Sequence, residues 1–155
     1  MNKYLRVYLI GGLIGLGTVI TTNASSPRPE EAVHYRQSVF TITKWNFIPI
    51  GAMVRGKIPF DAAAVARHAQ YIEMMSNAAL EGFPKGTGPD VVKDTEALPE
   101  IWAKREKFEA AMTDFQQASS KLAEAARSGD EKAIKAQFGK TAKTCKACHK
   151  AFRKD

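Results

Sequence analysis

The chain is 155 residues long with a formal charge of +7. That length sets one domain as the expectation. The positive excess comes without an aromatic-interleaved basic stripe or a nucleic-acid motif, which excludes nucleic acid as a partner.

Lys3 and Arg6 make a basic start, and an apolar run follows from Val7 to Ile20. Thr21, Thr22, Asn23, Ala24 and Ser25 then form a polar, small-residue stretch. The pattern is that of a secretory signal peptide over 1–24, cleaved after Ala24, which leaves a domain of 25–155. The run is short for a transmembrane helix, and an uncleaved anchor is the alternative. Cleavage removes two positive charges and no negative one, leaving +5. An excess of that size favours an acidic partner or an anionic membrane surface.

Four helical stretches follow. Pro29 suits a first helical position, and Glu30 and Glu31 suit the positive end of a helix. Val33, Phe40 and Phe47 recur every seven residues, so the first helix runs to about Val54. Pro49 should kink or loosen its last turn. Asp61 is a good N-cap for a second helix from Ala62 to about Leu80, with Val65, Ala69, Ile72, Met75 and Ala79 as its apolar stripe. Gly82, Pro84, Gly86, Gly88 and Pro89 make the stretch to Leu98 a loop. Pro99 opens a third helix to about Arg127. Ile101, Phe108, Phe115 and Leu122 fall at seven-residue steps beside Ala111, Ala118 and Ala125, a seam of large against small residues. Ser128 and Glu131 offer an S-x-x-E capping box to a fourth helix from Asp130 to about Arg153. Its Gly139 allows a close approach, or is merely tolerated. No useful period-2 strand appears. The expected fold is all-α, an antiparallel four-helix bundle.

The last helix carries Cys145, Lys146, Ala147, Cys148 and His149, and these two cysteines are the only ones in the chain. C-x-x-C-H is the attachment signature of c-type haem: each thiol adds to a haem vinyl group and the imidazole reaches the iron. Positions three apart on a helix share a face, so both sulfurs meet one porphyrin edge. A redox dithiol would belong beside a βαβ pattern, which is missing. A structural zinc would need a second pair of ligands. The expected cofactor is one covalent haem c with its iron. Export agrees with it, because bacterial haem attachment takes place outside the cytoplasm.

Three segments carry a family resemblance over essentially the whole mature chain. They are Tyr35-Arg36-Gln37, Pro99-Glu100-Ile101-Trp102, and Cys145-Lys146-Ala147-Cys148-His149 with Ala151-Phe152-Arg153. The chain resembles cytochrome c′, the four-helix class of c-type cytochromes. The resemblance implies a periplasmic homodimer with one haem c per chain. It implies a five-coordinate iron open on one side to small gases, nitric oxide above all. It also implies thioethers at Cys145 and Cys148, iron ligation by His149, and haem contacts from Arg36, Gln37, Thr95 and Glu96. Arg36 has a fork of donors suited to a haem propionate.

Four-helix relatives with six-coordinate iron place a Met on the first helix, at the position held here by Phe40. A phenyl ring has no lone pair for a metal. The expectation is therefore a vacant, apolar distal pocket under Phe40. Such a pocket gives bound O₂ no hydrogen-bond donor, while nitric oxide bonds iron strongly without one. Arg153, four residues after His149, is expected on the same helical face, covering the proximal side or bonding a ligand there. A solvated C-terminal arginine is the alternative. Lys140, Lys143, Lys146, Lys150 and Lys154 suit docking to an acidic periplasmic redox partner, or simply a solubilising face. His34 and His68 have no ligand partners at metal spacing, and Met53, Met74, Met75 and Met112 read as core filler.

The functional expectation is a gas-binding haem protein, an electron carrier, or both. A six-coordinate electron carrier with no gas role is the alternative. An enzyme is not expected, because a peroxidase needs distal acid–base groups and this chain offers Phe40 there.

Overall fold

Helix α1 (Pro29–Val54) starts where Pro29 has no N–H to leave unpaired. The structure, a computed structural model, describes residues 27–154; the signal peptide expected at 1–24 lies outside the described residues. Glu31 accepts the backbone N–H of Arg28 at 2.9 Å and pairs with its guanidinium at 2.8 Å, which holds the first turn. The helix passes through Pro49 and keeps its span. The carbonyl that Pro49 leaves without its usual donor belongs to Trp45, an exposed residue. Gly56, at φ +69°, then closes α1. Its N–H bonds Met53 O at 2.9 Å while Lys57 N–H bonds Ala52 O at 2.9 Å, the paired bonds of a Schellman ending.

Asp61 caps α2 (Ala62–Ala78), its carboxylate accepting from Ala64 N–H at 3.0 Å. A 3₁₀ turn extends it over Ala79–Gly82. The third helix differs from expectation. It is split into α3 (Glu100–Ala103) and α4 (Arg105–Ser128), with Lys104 between them at φ −122°, ψ 48°. Side chains on either side of the break are tied to the preceding loop. Trp102 Nε1–H donates to Pro84 O at 2.9 Å, and Arg105 Nη1 donates to Phe83 O at 2.8 Å. These long-range bonds outweigh one turn of helical continuity. The seam survives the break: Ile101, Phe108, Phe115 and Leu122 are all buried.

Helix α5 (Glu131–Phe152) is capped by Asp130 and not by the expected serine box. Asp130 accepts from Lys132 and Ala133 N–H at 2.9 and 3.2 Å. Ser128 instead donates back to Ala125 O at 2.7 Å, because Gly129, at φ +72°, has already ended α4. The charged cap two residues nearer the helix is the stronger acceptor. Gly139 faces open space, so it is tolerated and provides no close approach.

The long helices pack in the order α1, α2, α4, α5 and back to α1, with neighbours antiparallel. Their interior divides into two clusters. One centres on Ile50, Ile72, Leu122, Ile134 and Phe138, with Phe47 stacked on Phe138 at 4.3 Å. The other, at the α3 end, centres on Val39, Phe83, Ile101, Phe108, Met112 and Phe152. Each fully buried side chain of this size stabilises the fold by about 1.5–3 kcal/mol. Met53 and Met112 are core filler, as expected, whereas Met74 is exposed.

Gly82 marks the tightest approach between α1 and the loop after α2. A Cβ there would lie 2.5 Å from Arg36 Cβ and 3.1 Å from Arg36 Cα. Gly82→Ala should therefore destabilise by about 1–3 kcal/mol through overpacking, whereas Gly139→Ala, in open space, should stabilise by up to about 1 kcal/mol. Denaturant unfolding of both variants checks the opposite signs.

His68 on α2 meets Asn46 on α1, Nδ1 to Oδ1 at 2.9 Å, while Asn46 Nδ2 donates to Ile42 O at 2.8 Å. Burial first, and Arg67 second, push His68 below its ordinary value of 6.5. The folded state thus binds this proton less readily than the unfolded one. Its contribution is complete above about pH 6.5 and is lost as pH falls through the depressed value. His68→Gln should lose less stability than the parent between pH 7 and pH 5, measured by unfolding at both.

Candidate functional site

The fifth turn from the N-terminus of α5 lies against the junction of the two clusters. Cys145 packs on the first cluster and Cys148 on the second, and Phe40 of α1 packs on both. Both thiols are free and half-buried. Burial raises both, Cys148 to about 11 with the neighbouring Cys145 adding to it. A redox dithiol works through a depressed thiol that yields thiolate at neutral pH, and this pair has the opposite bias. Among the described residues no three His, Cys, Asp or Glu side chains gather to hold a metal ion. The pair therefore suits thioether attachment better than either alternative.

His149 follows on the same last turns and is exposed. Desolvation and the positive charge of Arg153 push its imidazole below the ordinary value, and Glu96 partly offsets them. The neutral ring is the form with a lone pair for a metal.

Phe40 is half-buried, and its ring meets that of Phe83 edge-on at 6.3 Å. Phe83 in turn meets Phe108 at 4.8 Å, and Phe108 meets Phe152 at 5.3 Å. An aromatic series thus runs from α1 to the end of α5. Phe83 and Phe108 carry no motif; only their position at the second cluster brings them here.

Arg36, one turn before Phe40, is 3% exposed. Among the described residues it pairs with no carboxylate. Its Nη1 donates to Gly82 O at 3.1 Å and Thr87 Oγ1 at 3.0 Å, and its Nη2 donates to Thr87 O at 2.9 Å and Thr95 Oγ1 at 2.9 Å. The rings of Phe83 and Trp102 lie 4.9 and 5.7 Å from its central carbon. Desolvation alone pulls it down to about 10, so it stays charged at neutral pH. A buried cation solvated by neutral oxygens and lacking a counter-ion fits an anionic group such as a propionate. Thr87 was not singled out from sequence; its only signal is a hydroxyl between Gly86 and Gly88.

The other expected contacts have protein partners. Gln37 is exposed and its Nε2 donates to Asp94 O at 3.2 Å. Thr95 is buried, and its hydroxyl also accepts from Ala97 N–H at 3.1 Å. Glu96 is exposed and pairs with Arg153 at 2.6 Å. Arg153 lies one turn beyond His149, close enough that, after desolvation, its charge pushes the imidazole down. It is the C-cap, in extended conformation at φ −127°, ψ 143°, and its N–H bonds His149 O at 3.0 Å. An antiparallel bridge to Ala97 draws the chain out of the helix there.

A cavity of about 710 Å³ opens beside this corner, lined by Phe83, Pro84, Trp102, Arg105 and others. None of the C-K-A-C-H residues borders it.

Comparison with known proteins agrees with the geometry. Residues 31–153 match the family model for cytochrome C′. Cytochrome c′ from Rubrivivax gelatinosus is 39% identical over 126 residues, which covers 81% of this chain and 96% of that protein. The structure of cytochrome c prime from Shewanella frigidimarina is 40% identical with a TM-score of 0.79, covering 84% of this chain and 100% of that one. A nitric oxide complex of a mutant cytochrome c prime from Alcaligenes xylosoxidans is 34% identical with a TM-score of 0.77, covering 84% and 99%. The chain belongs to the cytochrome c′ family, and is a monohaem c-type cytochrome built on a helical bundle.

Proposed function

We propose that this chain is an exported, periplasmic haem protein that binds small gases, chiefly nitric oxide, at a five-coordinate iron, and that it also passes electrons. Bound haem supplies an iron that can take a diatomic ligand and change oxidation state. Cys145 and Cys148 hold it by thioethers, and the neutral imidazole of His149 ligates the iron. Arg36 keeps its Nη bonds to Gly82, Thr87 and Thr95 and supplies positive charge to a propionate at that corner, with Thr95 beside it. Gln37 and Glu96 lie at the same rim.

The observation that carries the gas-binding reading is Phe40. It is the α1 side chain that packs on both clusters at the cysteines, and it offers no donor atom. Val39 and Phe83 also belong to the second cluster. Such surroundings give no hydrogen bond to bound O₂ and no acid–base group for peroxide chemistry. The nitric oxide complex known for the Alcaligenes xylosoxidans relative supports the choice of gas.

Homodimerisation is supported by one face of α1 and α2. Ile42, Trp45, Ile48, Tyr71 and Met74 are all exposed there, Trp45 at 76%. A contiguous apolar face of this kind marks an interaction surface. Electron transfer with an acidic redox partner is supported by Lys140, Lys143, Lys146 and Lys150, all exposed on α5 and free of ion pairs among the described residues.

Optical spectra of the mature protein test the main reading. A high-spin, five-coordinate ferrous spectrum that shifts on adding nitric oxide is expected. A low-spin six-coordinate spectrum indifferent to the gas would leave the electron-carrier reading alone. Phe40→Ala should raise carbon monoxide affinity by about tenfold or more, equivalent to about 1.4 kcal/mol, by removing the ring that crowds the ligand. Gas titration checks it. Trp45→Glu should lower the sedimenting mass to that of a monomer without changing the ferrous spectrum, because the residue lies on the far side of α1 from the cysteines.

A further inference from the structure

We propose that Thr95 is a positioning residue, which fixes the end of α5, and His149 with it, to helix α1. The inference rests on the reading of His149 as the iron ligand.

Its starting point is the way α5 ends. A helix leaves its last carbonyls without intrahelical partners, and the final turn frays unless something else binds them. Here that partner is the 95–98 segment. Leu98 N–H donates to Phe152 O at 2.9 Å, and Lys154 N–H donates to Glu96 O at 2.8 Å, on either side of the Ala97–Arg153 bridge. The Glu96 carboxylate adds its 2.6 Å pair to Arg153. His149 lies inside the turn that this bridge closes, since its carbonyl accepts Arg153 N–H.

The bridge segment is itself anchored at one residue. The Thr95 hydroxyl accepts from Arg36 Nη2 at 2.9 Å and from Ala97 N–H at 3.1 Å, so one oxygen joins α1 to the bridge strand. The Thr95 carbonyl accepts from Lys154 Nζ at 3.1 Å, beyond the end of α5. Arg36 is buried and fixed by three further bonds to Gly82 and Thr87, so it is a rigid anchor. Thr95 is buried too, and its hydroxyl cannot exchange these donors for water without opening the corner. Removing the hydroxyl oxygen leaves both Arg36 and Ala97 short of an acceptor. The bridge then loses its hold on α1, and the turn carrying His149 gains freedom to shift. A metal ligand is tuned by what orients it, so the coordination of His149 should register that freedom.

The test uses the haem-loaded protein with Thr95→Val, which keeps shape and loses the acceptor, and Thr95→Ser, which keeps the acceptor. Two quantities are read: amide hydrogen exchange, and the ferrous spectrum with its reduction potential. In Thr95→Val, exchange at Leu98 and Lys154 should quicken about tenfold or more relative to Ile72 and Leu122, as local opening does. The ferrous bands and the potential should move with it, and Thr95→Ser should restore both. Unchanged exchange at Leu98 and Lys154 would overturn the proposal. So would an acceleration shared equally by Ile72 and Leu122, or faster local exchange with the spectrum and potential unmoved. If Thr95→Val does not accumulate as folded protein, Lys154→Met reads the same tie from the exposed end, with the same local acceleration expected and its absence decisive. A wild-type spectrum lacking His149 ligation would instead fail the functional reading, and that is visible before any variant is made.

Discussion

One buried guanidinium sets the geometry of the haem end. A charge removed from water costs several kcal/mol unless its surroundings replace the lost solvation. Around Arg36 the replacement is assembled from far along the chain: the carbonyls of Gly82 and Thr87, the hydroxyls of Thr87 and Thr95, and the faces of Phe83 and Trp102. These groups solvate the cation without neutralising it. That explains why a loop rich in glycine and proline holds one shape. Gly82 is small because Arg36 Cβ occupies the space where its side chain would stand. Thr87 sits on a turn because both its hydroxyl and its carbonyl must face inward.

The parts of the fold legible in the sequence are those governed by local period. The steps from Ile101 to Phe108, Phe115 and Leu122 specify a buried face whatever lies opposite, and all four are buried. The haem motif is equally local, because its spacing alone brings two thiols and an imidazole to one end of a helix. The losses occur where distant groups decide. Lys104 carries no helix breaker, yet the helix parts there because Trp102 and Arg105 bind the loop around Phe83 and Pro84. Ser128 has the right spacing for a cap, but Gly129 and Asp130 claim the ending and the start. Arg153 falls one turn past His149 by counting, but its bridge to Ala97 and its pair with Glu96 come from residues far along the chain. Arg36 stands out in the sequence by its fork of donors, but neither its burial nor its partners Gly82 and Thr87 are legible there.

Electrostatics and burial act in the same direction at the C-K-A-C-H turn. Burial raises both thiols and disfavours the thiolate that would drive disulfide exchange. It also keeps His149 neutral and able to ligate. Desolvation is the largest contribution at all three residues, with Cys145 adding at Cys148 and Arg153 adding at His149.

The division of the interior into two clusters bears on the same point. A helical bundle of this size ordinarily forms one contiguous core. Here the clusters are separate, and Phe40 is the α1 residue that touches both, with Cys145 on one side and Cys148 on the other. A flat apolar ring system attached through both sulfurs would unite the clusters, with the aromatic series from Phe40 to Phe152 as its surroundings. In the proposed reading, Phe40 at that junction would govern what else can reach the iron. A methionine there would compete for the metal at every encounter, whereas a phenyl ring competes only for space. In the proposed gas-binding reading, preference among small gases would then rest on steric room and the lack of a donor. It requires no moving part in the protein.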